Sequence, residues 1–262
     1  MACQVKTAFP SSCAFAFFAL LALASCSPKP QAAQDADAYL RSLGYSRGPQ
    51  IAAVSGAGAE VTVSGQAFPD GRVRFLYGGQ RAVGVTADSK GRFTAALPLT
   101  PQGGLYDVSM DDGGRLVEAE GRLFVPQGAP QKAVVLRAGS PSSPVYGDAS
   151  PISVMDFDPT GALVVTGKVA PKTVVTLSVD GQGMTTATSD GKGLYYMQVH
   201  VAPPAEGAVM SLSVEAAGVT TQHTLPFPPA DARASDRITA VPDGWRVDWV
   251  VPGGGVQTTV VF

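Results

Sequence analysis

The residue types that carry most protein chemistry are few in this 262-residue chain, which has two histidines and three cysteines. His200 has the same parity as Gln198 in an alternating stretch, so we expect its ring to face solvent. His223 lies in a later stretch of strand pattern. Neither histidine has a cysteine or a pair of carboxylates at the spacing of a metal site or a catalytic triad. We therefore expect no metal site, no cofactor and no catalytic residue.

The segment 156–161 contains two aspartates and a glycine at the spacing that opens a calcium-binding loop. The distant glutamate of such a loop is missing. A turn between two strands is therefore favoured over a calcium site. For the same reason we interpret Asp88, Asp111 and Asp112 as hairpin residues.

Nucleophilic catalysis has no sequence support. The serines in strand-like stretches lie outside any Gly-x-Ser-x-Gly turn, the motif that exposes a catalytic serine: Ser153, Ser178, Ser211 and Ser213. The sequence predicts that the chain is not an enzyme. Chemistry by two carboxylates alone is the alternative that spacing leaves open.

Composition favours a β protein. The chain is 45% hydrophobic but only 15% charged, and its 30 glycines and 21 prolines leave little room for long helices. The 19 basic and 21 acidic residues give a net charge of −2, which offers no surface for a phosphate backbone. We expect short strands and turns, and no nucleic-acid partner.

The N-terminal segment has the form of a secretory signal peptide. Lys6 precedes an uncharged apolar run, 14–24, that is too short to cross a membrane as a helix. The run ends in Leu23-Ala24-Ser25-Cys26, which resembles the lipobox of bacterial lipoproteins. The resemblance implies cleavage before Cys26, lipidation of that cysteine and attachment of the chain to a membrane.

Cysteine usage agrees with this interpretation, because Cys3 and Cys13 lie inside the segment to be removed. Cys26 would then be the only cysteine of the mature chain, and no internal disulfide could form. Ser27 stands where aspartate retains lipoproteins in the inner membrane of enteric bacteria. The resemblance therefore implies the bacterial cell envelope, and its outer membrane in particular.

From Ile51 onwards, apolar and polar residues alternate in short runs that are separated by tight-turn sequences. A shift of 102 residues places segment 61–99 on segment 163–201 with ten identities in 39 positions. Most of the identical residues are turn glycines, prolines and aspartates or apolar strand residues. The chain is therefore expected to use one strand order twice.

The turn pattern of the second copy resembles bacterial Ig-like domains and, more loosely, carboxypeptidase-regulatory-type β-sandwiches. Its elements are Gly167, Pro171, Asp180-Gly181 and the segment 190–193 before an aromatic strand. The resemblance implies an all-β fold of two tandem Ig-like β-sandwiches. The predicted organisation is a signal peptide (1–25), a lipidated cysteine with a tether (26–50), a first sandwich (51–140), a linker (141–150), a second sandwich (151–228), and a linker with a C-terminal β-hairpin (229–262).

The C-terminal hairpin carries two tryptophans, Trp245 and Trp249, on one face of its first strand. We expect these rings to be buried with Val247, Val256, Thr258, Val260 and Phe262, and Arg246, Asp248 and Gln257 to face solvent. A lone hairpin is marginally stable, so it is expected to dock on a sandwich or on another protein. As an alternative, the two rings could stack on a ligand.

Two functions follow. The first is a membrane-anchored envelope lipoprotein that acts as a non-catalytic scaffold or adhesion module, with an envelope protein as a possible partner. The alternative is a lipoprotein that binds peptidoglycan or another cell-wall glycan through Trp245 and Trp249.

Overall fold

The computed structural model describes residues 38–40, 42–78, 81–145, 147, 150–202, 208–226 and 235–262. The chain divides into two compact units, residues 1–44 and residues 45–262. In the first unit, residues 38–40 and 42 are helical, and the Ser42 hydroxyl donates a 2.7 Å hydrogen bond to the Tyr39 carbonyl. The signal peptide and Cys26 lie outside the described residues. None of the helices in the described part has the length and hydropathy to cross a membrane.

The first half of the second unit forms one β-sandwich. Its strands are β1 (Gln50–Ala57), β2 (Glu60–Gln66), β3 (Arg72–Tyr77), β4 (Arg81–Thr86), β5 (Arg92–Pro98), β6 (Gly104–Asp112), β7 (Arg115–Glu118), β8 (Arg122–Val125), β9 (Val134–Leu136) and β10 (Ser143–Pro144). A three-stranded sheet of order β1-β2-β5 packs on a seven-stranded sheet of order β10-β9-β8-β6-β3-β4, in which β7 also pairs with β6. All the strand pairs are antiparallel.

Tyr106 on β6 fixes one corner of this sandwich. Its ring is fully buried, and its hydroxyl donates a hydrogen bond to the carbonyl of Pro98, eight residues earlier. Burial raises the pKa of Tyr106, which keeps the hydroxyl protonated as a donor. Such a tyrosine corner is a hallmark of Ig-like sandwiches.

The second half forms another β-sandwich. Its strands are β11 (Val154–Phe157), β12 (Ala162–Lys168), β13 (Val174–Val179), β14 (Gln182–Thr188), β15 (Leu194–His200), β16 (Val209–Ala216), β17 (Val219–Pro226), β18 (Arg237–Val241), β19 (Gly244–Val250) and β20 (Val256–Val261). A six-stranded sheet of order β15-β12-β11-β20-β19-β18 packs on a four-stranded sheet of order β14-β13-β16-β17. The predicted all-β fold of two tandem sandwiches is confirmed.

The internal repeat is visible in the backbone. Asp70 and Lys172, which are 102 residues apart, have the same left-handed conformation with φ of 59°. Gly91 and Gly193, also 102 apart, have φ of 77° and 82°. A Cβ atom on Gly193 would collide with the carbonyl oxygen of Val169, so the turn needs glycine for space as well as for φ.

The aspartates that open these turns have the same role in both copies. Asp88 Oδ1 accepts hydrogen bonds from the backbone N–H groups of Lys90 and Arg92, at 2.9 and 2.8 Å. Asp190 Oδ1 accepts from Lys192 and Leu194, at 2.7 and 2.9 Å. The bonds from Arg92 and Leu194 are the main causes that lower the pKa of the two carboxyls. The interpretation of Asp88 as a hairpin residue agrees with this geometry.

The C-terminal strands extend the second sandwich. Residues 258–261 of strand β20 pair with the whole of β11, and β19 and β18 follow β20 outwards. The expected hairpin is therefore part of a three-stranded extension of an existing sheet, whose central strands have partners on both sides.

The predicted inward face of the hairpin was partly wrong. Trp245 pairs with Val261 and Trp249 with Gln257, so odd-numbered residues of β19 and β20 share a face. The expected even-numbered residues of β20 point the other way, and Val260 and Phe262 join the core of the second sandwich. Five residues, 251–255, separate the last pair, and this loop length sets the parity of the pairing.

Candidate functional site

A third hydrophobic core lies where the two sandwiches meet. We call it the junction core, and its buried members are Phe124, Val134, Leu136, Val154, Val247, Trp249 and Val261. The first three come from strands β8 and β9 of the first sandwich, and the others come from β11, β19 and β20 of the second. Strands β8, β11 and β20 therefore have both faces covered, because alternate residues lie in a sandwich core and in the junction core.

A buried carboxylate, Asp156, lies beside the junction core. Its side chain is 4% exposed and accepts hydrogen bonds from both the backbone N–H and the hydroxyl of Ser142, each at 2.7 Å. The Thr259 hydroxyl donates at 2.7 Å, and the Gln257 amide donates at 3.2 Å. The same amide also donates to the carbonyl of Arg137, at 3.1 Å. Asp156 thus ties together the segment between the sandwiches, β11 and β20.

Burial is the largest influence on Asp156 and raises the pKa of its carboxyl. The hydrogen bonds from Ser142, Thr259 and Gln257 act in the opposite direction, because each of them donates to the charged form. Four donors around one buried carboxylate satisfy its oxygen atoms without a cation. Asp156 is therefore a structural anchor of the junction.

Ser142 lies in the segment predicted to be a linker. Its side chain is 1% exposed, and its hydroxyl accepts a 3.3 Å hydrogen bond from the Arg137 N–H. The next two residues form β10, which pairs with β9. The connection between the sandwiches is therefore held by backbone and side-chain bonds at this point.

The two tryptophans proposed for ligand stacking have different surroundings. Trp249 is 1% exposed in the junction core, and its Nε1 donates a 3.2 Å hydrogen bond to the Thr259 hydroxyl. Trp245 is half-buried, and the Lys132 ammonium lies 5.9 Å from its ring centre. The structure therefore does not present the two rings side by side to solvent.

Arg246 and Asp248 were expected to face solvent, but both are buried, at 3% and 2% exposure. Arg246 Nε donates to both oxygens of Asp248, at 2.9 and 3.1 Å. The Thr258 hydroxyl donates to Asp248 Oδ1 at 2.6 Å, and Arg237 lies 3.5 Å from Oδ2. The expectation failed because a sheet with both faces covered buries residues of either parity.

Ion pairs add to the contacts between the sandwiches. Arg122 on β8 lies 2.8 Å from Asp236, which directly precedes β18, and 2.6 Å from Asp107 on its own sandwich. Asp236 also accepts a 3.1 Å hydrogen bond from the backbone of Val250. Because these side chains are partly exposed to solvent, the ion pairs add little to the free energy of unfolding. They help to orient one sandwich against the other.

The second aspartate of the calcium-loop candidate closes a turn. Asp158 Oδ1 accepts hydrogen bonds from the Thr160 hydroxyl and N–H, at 2.6 and 2.8 Å, and from the Ala162 N–H at 3.1 Å. Burial would raise the pKa of Asp158, but these bonds outweigh it and lower the pKa. The preference for a turn at this segment agrees with the geometry, since Asp156 and Asp158 use their oxygens on different partners.

The histidines differ in surroundings. His200 is exposed, as predicted. His223 Nδ1 lies 3.1 Å from Asp243 Oδ2, and its ring stacks on Phe262 with centres 4.2 Å apart. His223, Asp243 and Phe262 are among the residues that line a cleft of about 500 Å³, together with Lys132 and Val134 of the first sandwich. Sequence patterns did not predict the pairing of His223 with Asp243, because 20 residues separate them and only the packing of the sheets brings them together.

Two of the serines in the strand stretches have hydrogen-bonded hydroxyls. The Ser153 hydroxyl donates a 3.2 Å hydrogen bond to the Ser150 carbonyl. The Ser211 hydroxyl accepts a 2.8 Å hydrogen bond from the Gln222 amide. Within the described ranges, no three histidine, cysteine or carboxylate side chains are placed to hold a metal ion.

No protein-family model matches this chain, and no curated protein matches it. Several solved structures are similar to it. A domain described as "Biofilm associated protein - BSP domain" has 17% identity over 71% of this chain and 30% of that chain, with a TM-score of 0.23. The matched region thus spans less than a third of that protein.

Two further similar structures come from other proteins. The central fibronectin-III array of RIM-binding protein has 10% identity over 82% of this chain and 89% of that chain, with a TM-score of 0.26. The chicken interferon gamma receptor alpha chain has 9% identity over 71% of this chain and 100% of that chain, with a TM-score of 0.21.

Proposed function

We propose that this chain is a lipid-anchored protein of the bacterial cell envelope, attached to the outer membrane, that acts as a non-catalytic scaffold or adhesion module. The observation that carries the proposal is the junction, where Trp249 packs in a core shared by both sandwiches and the buried Asp156 accepts hydrogen bonds from Ser142 of the connecting segment. A scaffold must hold its interaction surfaces at a fixed distance and angle. The junction supplies that property.

The character of the junction supports a rigid pair. Contacts between domains of one chain are often polar and permit relative motion. Here the contact has an apolar centre, and the strands that build it belong to the sheets of both sandwiches. Separating the sandwiches would expose Phe124, Trp249 and the hydrogen-bonding groups around Asp156 to water. The free-energy cost of that exposure keeps the two sandwiches together.

Membrane attachment is supported by the sequence of the N-terminal segment. The sequence that ends at Cys26 resembles a lipobox at the end of an apolar run of signal-peptide length, and the predicted tether, 26–50, would lead into strand β1. Lipid chains on Cys26 would place the sandwich pair next to the membrane, where it would contact an envelope protein or a cell-wall glycan. The use of Trp245 and Trp249 as a glycan-stacking face is not favoured, since Trp249 lies in the junction core.

The anchor is tested by replacing Cys26 with serine in the full precursor. The wild type is expected to incorporate labelled palmitate and to sediment with membranes, whereas Cys26→Ser is expected to be unlabelled and to leave the membrane fraction. Cys13→Ser is the matched control, because it removes a cysteine from the same segment outside the lipobox, and it should behave as wild type. A wild type without label that still sediments with membranes would reject the proposed anchor.

A further inference from the structure

One outer face of the second sandwich has an unusual side-chain composition. It is the solvent side of the sheet β14-β13-β16-β17, and strand register places nine hydroxyl or amide side chains on it. None of the nine is buried. We call this surface the hydroxyl face, and its members are Thr176, Ser178, Thr186, Thr188, Ser211, Ser213, Thr220, Gln222 and Thr224.

Charge is nearly absent from the hydroxyl face. Among the described outward positions of its four strands, Glu215 is the one ionisable side chain. Asp180 lies at the adjoining turn, where its Oδ1 accepts a 2.7 Å hydrogen bond from the Ser211 N–H. Val174 and Val209, which are 62% and 57% exposed, add apolar contact area at the ends of the face.

The first sandwich shows that the fold does not require this composition. Its corresponding sheet pairs β4, β3, β6 and β7 in the same way. There the outward positions include five charged side chains, Arg72, Arg74, Asp107, Asp111 and Glu118. Thr176 of the second sandwich stands 102 residues after Arg74. The same framework thus carries a charged face in one copy and a hydroxyl face in the other.

The hydroxyl face offers hydrogen bonding without charge. Serine and threonine hydroxyls and the glutamine amide both donate and accept, whereas charged groups offer only one of these roles. Strand geometry places these groups about 4.8 Å apart across strands and about 6.7 Å apart along them. Short side chains on a paired sheet also lose little conformational freedom when they bind a ligand.

We infer that the hydroxyl face binds a neutral polysaccharide chain. A neutral sugar polymer presents hydroxyls that donate and accept in the same way, repeated along an extended chain, and its C–H groups match the exposed valines. An anionic polymer would find no cationic partner among the described outward positions of this face, and a cationic polymer would find only Glu215 and the adjoining Asp180. The right-handed twist of the sheet favours a single flexible chain over a flat crystal surface. This inference does not depend on lipidation or on the junction.

The test is affinity electrophoresis of the full chain carrying Cys26→Ser, in native gels that contain hydroxyethylcellulose. This polymer is a neutral, soluble β-glucan derivative. The chain is expected to migrate more slowly as the polymer concentration rises. Carboxymethylcellulose has the same backbone with negative charges, and we expect it to bind at least fivefold more weakly.

The deciding variant is Thr176→Val/Thr186→Val/Thr224→Val, which removes three hydroxyls while keeping side-chain shape and strand propensity. We expect at least a tenfold weaker interaction with hydroxyethylcellulose at an unchanged melting temperature. Thr86→Val, on the corresponding face of the first sandwich, is the matched control and should bind as wild type. An unretarded wild type, equal retardation by the anionic polymer, or a triple variant that binds as wild type would each overturn the inference.

Discussion

Thr259 on the last strand donates a 2.7 Å hydrogen bond to Asp156 on the first strand of the second sandwich, 103 residues earlier in the chain. The same threonine accepts a 3.2 Å bond from Nε1 of Trp249. One hydroxyl therefore links the apolar centre of the junction to its buried carboxylate. The C-terminal strands complete both the second sandwich and its contact with the first.

The first prediction concerns Trp249. Trp249→Ala should lower the free energy of unfolding by about 3 to 5 kcal/mol, because it leaves a cavity in the junction core and removes the donor to Thr259. Trp245→Ala should cost clearly less, since that ring is only half-buried. Urea unfolding of the two variants measures both. Equal costs, or a Trp249→Ala chain as stable as wild type, would contradict the assigned burial.

The second prediction is energetic coupling between Asp156 and Thr259. Asp156→Ala should cost about 2 to 3 kcal/mol, because it leaves buried donors without their acceptor. Thr259→Val keeps the side-chain shape but removes a donor to the carboxylate. In a double-mutant cycle, the double variant should cost less than the sum of the two single variants by about 1 kcal/mol. Additive costs would show that the two side chains do not interact.

A third prediction compares two glycines that both have a positive φ but differ in the room available for a Cβ atom. Gly181 has φ of 76° with open space where a Cβ atom would lie, so Gly181→Ala should cost about 1 to 2 kcal/mol from backbone strain alone. Gly193 has φ of 82°, and a Cβ there would meet the carbonyl of Val169. Gly193→Ala should therefore cost more, as measured by thermal unfolding. A larger loss of stability from Gly181→Ala than from Gly193→Ala would contradict the close approach of Gly193 to the Val169 carbonyl.

The fourth prediction is a pH dependence from Asp158. Its folded-state pKa is lowered below the ordinary value of 3.8, so its contribution to stability is fully present above that value. The contribution is lost as the pH falls through the folded-state pKa. Asp158→Asn should thus be less stable than wild type at pH 7, and the difference should shrink below pH 4. Urea unfolding across pH 3 to 7 would show a constant difference if the assignment were wrong.

Sequence patterns predict the repeat and the turns because these depend on local chemistry. Alternation identifies the strands, and paired turn aspartates and glycines such as Asp88 with Gly91 are determined by residues within four positions of one another. The 102-residue shift predicts one strand order for the segments that it covers, and β2–β5 and β12–β15 do pair alike, whereas the last three strands of each half join different sheets. The preference for a turn at Asp158 rests on the same kind of local information.

The junction could not be predicted from the sequence, because it depends on contacts between residues that are far apart in the chain. The sequence pattern presents Asp156 only as part of a local loop, and its partners Ser142 and Thr259 lie 14 and 103 residues away. Arg246 and Asp248 alternate with apolar residues as solvent-facing residues do, yet their strand lies inside a wider sheet. Periodicity reports which residues share a face, but it does not report whether both faces are covered.

The rigid joining of the two sandwiches is tested most directly by a distance measurement between them. Spin labels on Lys90→Cys and Lys192→Cys, with all three native cysteines replaced by serine, occupy equivalent exposed turns of the two repeats. Pulsed electron paramagnetic resonance should give one narrow distance distribution, which Trp249→Ala should broaden. If the labelled protein that retains Trp249 gave a distance distribution as broad as that of two domains on a flexible linker, the two sandwiches would not be rigidly joined.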